Sequence, residues 1–440
     1  MNLIYGIKDK PKFSQMLVFA FQQVLAILAA TIVVPVIVGN GMSQSAALFG
    51  AGVGTIVYQL LTKFRSPVFL GSSFAFIPSM TAAFAGAASA SAGFAGIILG
   101  AALAGLVYVI IATVVKFVGV NWINKLMPAV VIGPTVALIG LSLAGAAIKD
   151  VFSYGPQDAN GSFIMTAPIW ASLVCALVTL LVVVIVSTYG KKMLKLIPFI
   201  VGILAGYVVA AIFTVCGIPV IDFSVFQNMQ IFAIPEFTFL EAIKGVKDID
   251  GAFVATVVVA YVPVAFVVFA EHIADHKNLS SIIGEDLLEN PGLHRTLLGD
   301  GIGSVAGAIF GGCPNTTYGE SVGCVAITRN ASVVTITTAA IMCIVISFFG
   351  PFVAFLDSIP GCVMGGVCVT LYGFIAVSGL KMIQKVDLNQ NKNLFVVATI
   401  LIPGIGGMAM AIGKVTLTAV ACSLILGIIV NVILSKAKDE

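Results

Sequence analysis

Charge is what this chain has least of. Only 9% of its 440 residues are Asp, Glu, Lys or Arg, and it holds three histidines and two tryptophans. A soluble domain carries about 25% charged residues, so a water-facing globule is excluded. The net charge is only +3, and the basic residues sit in short breaks between apolar runs, which leaves no basic stripe for a nucleic acid. CxxC spacing is absent: the eight cysteines, Cys175 to Cys422, fall singly in apolar stretches and read as small packing residues. No His, Cys, Asp and Glu spacing suits a metal, and no nucleophile stands beside a base, so neither a cofactor nor an enzyme is expected.

What abounds is oil. Hydrophobic residues make up 60% of the chain and the mean hydropathy is +1.13. A helix needs about 20 apolar residues to cross a hydrocarbon core roughly 30 Å thick. Fourteen segments suit that role: Met16 to Val38, 44–62, 66–86, 92–115, 126–147, Ala171 to Ser187, 196–216, Phe253 to Ala270, 294–312, 315–328, 331–350, 359–380, 394–412 and Val415 to Leu434. With both termini cytoplasmic, all but Lys149, Lys244, Lys247 and Lys414 of the 22 basic residues fall inside, including Lys125, Lys192, Lys436 and Lys438. Retention of Lys and Arg on the cytoplasmic side favours this orientation. The first segment exceeds a signal-peptide core and lacks a small-residue cleavage site, so it is expected to stay as a helix. Trp122 and Trp170 lie near span ends, where they anchor at the interface. The stretch Asn278 to Asn290 has spaced apolar residues that suit an interfacial amphipathic helix.

Two spans are broken. Ser66 to Phe76 sets Pro67, Gly71, Ser72 and Ser73 in an otherwise apolar stretch, and Gly311 to Glu320 does the same with Gly312, Pro314 and Asn315. Unsatisfied amides cost several kcal/mol each in lipid, so such backbone must face protein or a cavity. The breaks fall in the third span of each set of seven, and matched interruptions in two halves point to a transporter site. The expected fold is an all-α polytopic membrane protein with fourteen transmembrane segments as seven-plus-seven inverted repeats, spans 3 and 10 interrupted by short extended strands. Gly303, Gly307 and Gly311, like Gly96 and Gly100, have the small-xxx-small spacing of close helix packing. Gly50, Gly52 and Gly54 resemble a dinucleotide loop only superficially, since no strand precedes them.

Acidic residues inside these spans are the chemical signal, because each costs roughly 2.5 to 3.5 kcal/mol at mid-membrane and is kept for function. Glu271, Asp275, Asp300 and Glu320 fall within or beside apolar segments. Glu271 and Asp275 are four apart and share a helix face. Ordinary alternatives exist: a snorkelling helix-end acid for Glu271, an exposed loop acid for Asp275, a cap or helix-packing group for Asp300, and satisfied packing histidines for His272 and His276. Ionised carboxylates only accept hydrogen bonds, so two of them with few cations nearby suit a neutral planar ring with N–H donors, such as a pyrimidine dione. Amides at Phe74 and Gly319, where short helices begin, suit its carbonyls. Carboxylates in such a place exchange protons with water, which makes proton coupling the expected drive.

These residues resemble the nucleobase/ascorbate transporter family, and within it the bacterial uracil permeases. Gly319-Glu320-Ser321-Val322-Gly323 through Thr328-Arg329 is similar to the family signature. Ala270-Glu271-His272-Ile273, Gly71-Ser72-Ser73-Phe74-Ala75-Phe76 and Val363-Met364-Gly365-Gly366 are similar to its eighth-, third- and twelfth-span motifs. The resemblance implies a core domain (1–118 and 251–350), a gate domain (119–250 and 351–440), elevator movement and a homodimer in the inner membrane. It implies a nucleobase bound by Glu271 and Glu320, backbone groups of Phe74 and Gly319, and Ser73 and Tyr318 beside them. Glu at 320 is nearer the uracil branch than the xanthine or urate branch. Three positions depart from the pattern: Ser321 replaces Asn, Asp275 replaces a His, and Gln22-Gln23 replaces Gln-His. The coupling proton therefore has Asp275, Glu271, Asp300 and His276 as candidate carriers, with sodium a weaker alternative to H+. Other classes stay open beside a uracil symporter: a xanthine or other purine permease, an uncoupled facilitator, and an anion carrier, which the two Glu residues disfavour.

Overall fold

Backbone amides in oil must be paired within the chain, and helices pair them locally. The computed structural model describes residues 3–119, 128–191, 194–195, 197–227, 229–412 and 415–435. Trp122, Lys125, Lys192, Lys414, Lys436 and Lys438 lie outside the described residues. The chain runs through α1 (Phe13–Val38), α2 (Gln44–Leu61), strand β1 (Leu70–Ser72), a 3-10 turn (Phe74–Phe76), α3 (Ile77–Gly86) and α4 (Ala90–Val118). Then come α5 (Ala129–Ser142), α6 (Ala144–Val151), α7 (Ala167–Tyr189), α8 (Pro198–Val215) and α9 (Thr238–Gly245). The long α10 (Gly251–Ile283) and α11 (Leu293–Gly311) precede β2 (Asn315–Thr317), followed by α12 (Gly319–Thr328), α13 (Val333–Ile346) and α14 (Gly350–Asp357). The last described elements are α15 (Gly361–Ile383), α16 (Asn391–Ile405), β3 (Met410–Ile412), β4 (Val415–Leu417) and α17 (Ala419–Leu434).

Among the described residues, α1, α4, α5 with α6, α7, α8, α10 and α15 are long and apolar enough to cross a membrane. Shorter apolar helices are Phe74–Gly86, α13, α16 and α17. Small residues set the tightest contacts. A Cβ at Gly50 would come 2.6 Å from the Gly307 carbonyl, one at Gly54 2.7 Å from that of Gly303, and one at Gly311 2.5 Å from that of Ala46. The glycines of α2 and α11 thus let two backbones touch, so Gly50 and Gly54 serve packing. Gly96 and Gly100 of α4 instead leave room for the rings of Phe253 and Tyr261 of α10.

The two broken segments meet. β1 and β2 pair antiparallel, with Leu70 opposite Thr317, Gly71 opposite Thr316 and Ser72 opposite Asn315. Each strand is also tied to α2: Thr55 Oγ1 donates to the Leu70 carbonyl (3.2 Å) and accepts from its amide (2.9 Å), and Asn315 Nδ2 donates to the Gly50 carbonyl (2.9 Å). Three residues per strand suffice because these side chains take up the polar backbone where helix stops.

Some local expectations are corrected. Asn278 to Asn290 is no separate amphipathic helix: its first part completes α10, which stops at Gly284, a left-handed residue at φ +77°. β3 and β4 pair antiparallel, Met410 opposite Leu417 and Ile412 opposite Val415, where a continuous apolar span beginning at Val415 was expected; α16 ends before Gly406 and Gly407, the latter at φ +74°. Seven cysteines are buried in the packing, but Cys216, just beyond α8, is exposed.

Candidate functional site

The paired strands open directly into two helices. Ser73 precedes the 3-10 turn that starts at Phe74, and Tyr318 precedes α12, which starts at Gly319. The Ser73 amide donates to the Pro314 carbonyl (2.9 Å), extending the link between the two segments. Tyr318 crosses back over β1: its hydroxyl donates to the Ser72 carbonyl at 2.8 Å, and its ring lies where a Cβ at Gly71 would sit, 2.3 Å from Cε2. Gly71 is therefore required by a ring packed on its backbone. On the far side, Ser79 Oγ of α3 donates to the Ala260 carbonyl of α10 (2.7 Å), and Phe76 stacks on Tyr261 with centroids 5.5 Å apart. These contacts hold the first broken segment against α10.

A cavity of about 480 Å³ opens at this junction. One wall is formed by Ser73, Phe74 and Ala75, by Ala270, Glu271, Ala274 and Asp275 of α10, and by Thr316 through Glu320. The other is Val136 of α5, Phe199 of α8, and Leu371, Phe374, Ile375, Ser378 and Met382 of α15. The first wall carries all three carboxylates. The second is apolar except for Ser378. A volume of this size, mostly apolar with a few convergent polar groups, is that of a small-molecule site.

All six residues expected at the site, Glu271, Glu320, Phe74, Gly319, Ser73 and Tyr318, line this one cavity, although they come from three separate stretches of sequence. Asp275 lines it too, and its carboxylate accepts from Thr317 Oγ1 at 2.7 Å. Asp300 and His276 do not line it. Asp300 is fully buried in α11 and meets His272 Nδ1 at 2.8 Å, while His272 Nε2 meets Thr296 Oγ1 at 3.0 Å. His276 directs Nδ1 to the His272 carbonyl (2.8 Å) and Nε2 to the Tyr58 hydroxyl (2.8 Å), which also bonds Ser66. The two imidazoles stack with centroids 4.0 Å apart.

Sequence reasoning missed Thr317 and the whole apolar wall. Thr317 lies inside the second broken segment, whose extended backbone was the available signal. The α15 residues recur at helical spacing, but α15 is apolar all round and the period is hidden. Gly365 and Gly366 face away from the cavity: a Cβ there would come 2.5 Å from the Val151 amide and 2.4 Å from the Ala176 carbonyl.

Comparison with known proteins places the chain. The Permease family model for xanthine and uracil permeases matches residues 14–413. The uracil permease of Bacillus subtilis (strain 168) is 38% identical over 439 residues, covering 99% of this chain and 96% of the relative. The uracil permease of Bacillus caldolyticus is 39% identical over 434 residues, covering 98% and 94%, and that of Escherichia coli (strain K12) is 33% identical over 426 residues, covering 96% and 92%. In fold, the chain is similar to the transmembrane domain of a cyanobacterial bicarbonate transporter, with a TM-score of 0.66, 17% identity, and 97% and 100% of the two chains covered. The murine anion transporter Slc26a9 in its inward-facing state has a TM-score of 0.68 at 13% identity, covering 97% of this chain and 69% of that one. At such identities the likeness is one of fold alone. With its apolar helices and near full-length matches, the chain is a multi-pass membrane protein that belongs to the nucleobase permease family of these uracil permeases.

Proposed function

We propose that this chain is a proton-coupled symporter that imports uracil across the cytoplasmic membrane. The observation that carries the proposal is that Glu271 and Glu320 share one cavity wall beside the paired broken segments. Uracil offers two N–H donors and two carbonyl acceptors; two carboxylates take the donors, and the amides of Phe74 and Gly319, at helix starts where the first N–H groups lack intrahelical partners, take the carbonyls. Ser73 and Tyr318 border the ring, and the apolar wall from α5, α8 and α15 covers its faces. The names of the relatives agree with this substrate.

The coupling proton is assigned to Asp275 with Glu271. Asp275 touches both the cavity and Thr317 of β2, so a change in its charge alters a contact to the strand that precedes Gly319. Asp300 and His276 stand behind this pair as secondary carriers. Movement is proposed to be of the elevator kind: fourteen spans in two inverted sets of seven, a core domain of 1–118 and 251–350, and a gate domain of 119–250 and 351–440. The cavity supports this division, since its polar wall comes entirely from the first pair of ranges and its apolar wall from the second. A homodimer in the inner membrane, with both termini cytoplasmic, completes the proposal.

The test is uptake of radiolabelled uracil by proteoliposomes, with and without a protonophore, in competition with a panel of bases. A proton gradient should drive accumulation, the protonophore should abolish it, and xanthine should compete weakly. Uptake indifferent to the gradient would leave an uncoupled facilitator, and stronger competition by xanthine would move the substrate to the purine class.

A further inference from the structure

Two of the departures from the family pattern touch each other. Gln23 of α1 and Ser321 of α12 are 298 positions apart, and the Gln23 side-chain amide donates to Ser321 Oγ. Both side chains are buried, Gln23 at 2% exposure and Ser321 at none. The Phe69 amide, one residue before β1, also donates to Ser321 Oγ, at 3.4 Å. One hydroxyl thus joins α1, the approach to the first strand and the first turn of α12. One helical turn further along both helices, Ala26 packs against Cys324 with Ile197 beside them. The α1–α12 seam therefore has one polar rung followed by one small apolar rung.

Neither Gln23 nor Ser321 lines the cavity, whereas Glu320 does. Successive residues of a helix point about 100° apart, at 3.6 residues per turn, so Ser321 grips the back of the turn whose preceding side chain, Glu320, lines the cavity. We infer that Gln23 and Ser321 form one positioning unit that aims Glu320 and the Gly319 amide at the substrate, an inference that rests on the proposed transport function. A serine places its polar atom one bond beyond Cβ, and here an unbranched amide with three rotatable bonds reaches in to meet it. An asparagine at 321 adds two heavy atoms to a closed contact and needs a different partner at 23.

The experiment is a double-mutant cycle of Gln23→Leu and Ser321→Ala in the full chain, read by uracil KM in proteoliposomes and by thermal midpoint in detergent without any base. Each single change removes one partner and strands the other, while the double change removes both. The expected result is a rise in KM of about tenfold for each single variant and no further rise for the double. A second pair guards against misfolding: Ser321→Asn alone should fail, and Ser321→Asn with Gln23→His should recover folding and uptake. Singles with wild-type KM, multiplying losses in the double, or no recovery in the swapped pair would overturn the inference. A shift in midpoint with KM unchanged would also overturn it, reducing the pair to packing. If the wild-type chain takes up no uracil, the functional proposal fails instead, and a non-additive midpoint cycle still reports the contact.

Discussion

Glu271 and Asp275 stand one position before His272 and His276 on the same helix, with the same spacing, and the two pairs have opposite fates. The acids line the cavity, and the histidines are fully buried among Asp300, Thr296, Tyr58 and Ser66. A rotation of about 100° per residue separates a face that lines the cavity from one packed inside the protein. The acid pair has room beside it for a ligand to supply the missing donors. The histidine pair has its ring nitrogens engaged by fixed partners, and it ties α10 to α11 and α2.

That contrast can be broken or sharpened by substitution. The largest loss is expected from Glu320→Gln or Glu271→Gln, at least about a hundredfold in uracil uptake efficiency, or about 2.7 kcal/mol, measured as kcat/KM in proteoliposomes. Unchanged uptake and selectivity in Glu320→Gln would remove the substrate assignment. Next comes His272→Leu, which leaves the Asp300 carboxylate buried without its partner and should cost about 1–3 kcal/mol of stability. Uracil KM of the folded fraction should hold within about threefold. A KM effect as large as that of the acids would erase the distinction between the two faces. Gly71→Ala drives a methyl into the Tyr318 ring, and overpacking of this kind costs about 1–3 kcal/mol; calorimetry in detergent should show a lower midpoint and tracer assays weaker binding. The smallest effect is expected from Thr317→Val, which removes the donor to Asp275 and about 1 kcal/mol of stabilisation. It should shift the pH dependence of uptake while leaving expression intact, and an unshifted profile would detach Asp275 from coupling.

Much of the site was legible because oil makes polar residues conspicuous. Pro67, Gly71, Ser72 and Ser73 in one apolar run, and Pro314, Asn315 and Glu320 in another, are expensive there and so signal a purpose. Asp300 was equally conspicuous, but its placement was not legible: it meets His272 away from the cavity, and cost alone does not say which neighbour a buried acid meets. Phe199, Phe374 and Ser378 left no trace, since lipid and a cavity wall both accept apolar side chains. Ser321 could be flagged as a departure but not explained, as its partner lies 298 residues earlier.

Composition and spacing alone determined that the chain lives in a membrane, where it breaks from helix, and which acids stand at the breaks. These are local matters, decided by the transfer energy of each side chain and by the need to pair each amide. Only the tertiary structure decided that β1 meets β2, that Asp275 faces the cavity while His276 does not, and that Gln23 holds Ser321. Such outcomes depend on which distant surfaces touch, and a glycine that admits a backbone or a hydroxyl that accepts two donors looks the same in sequence whatever it meets.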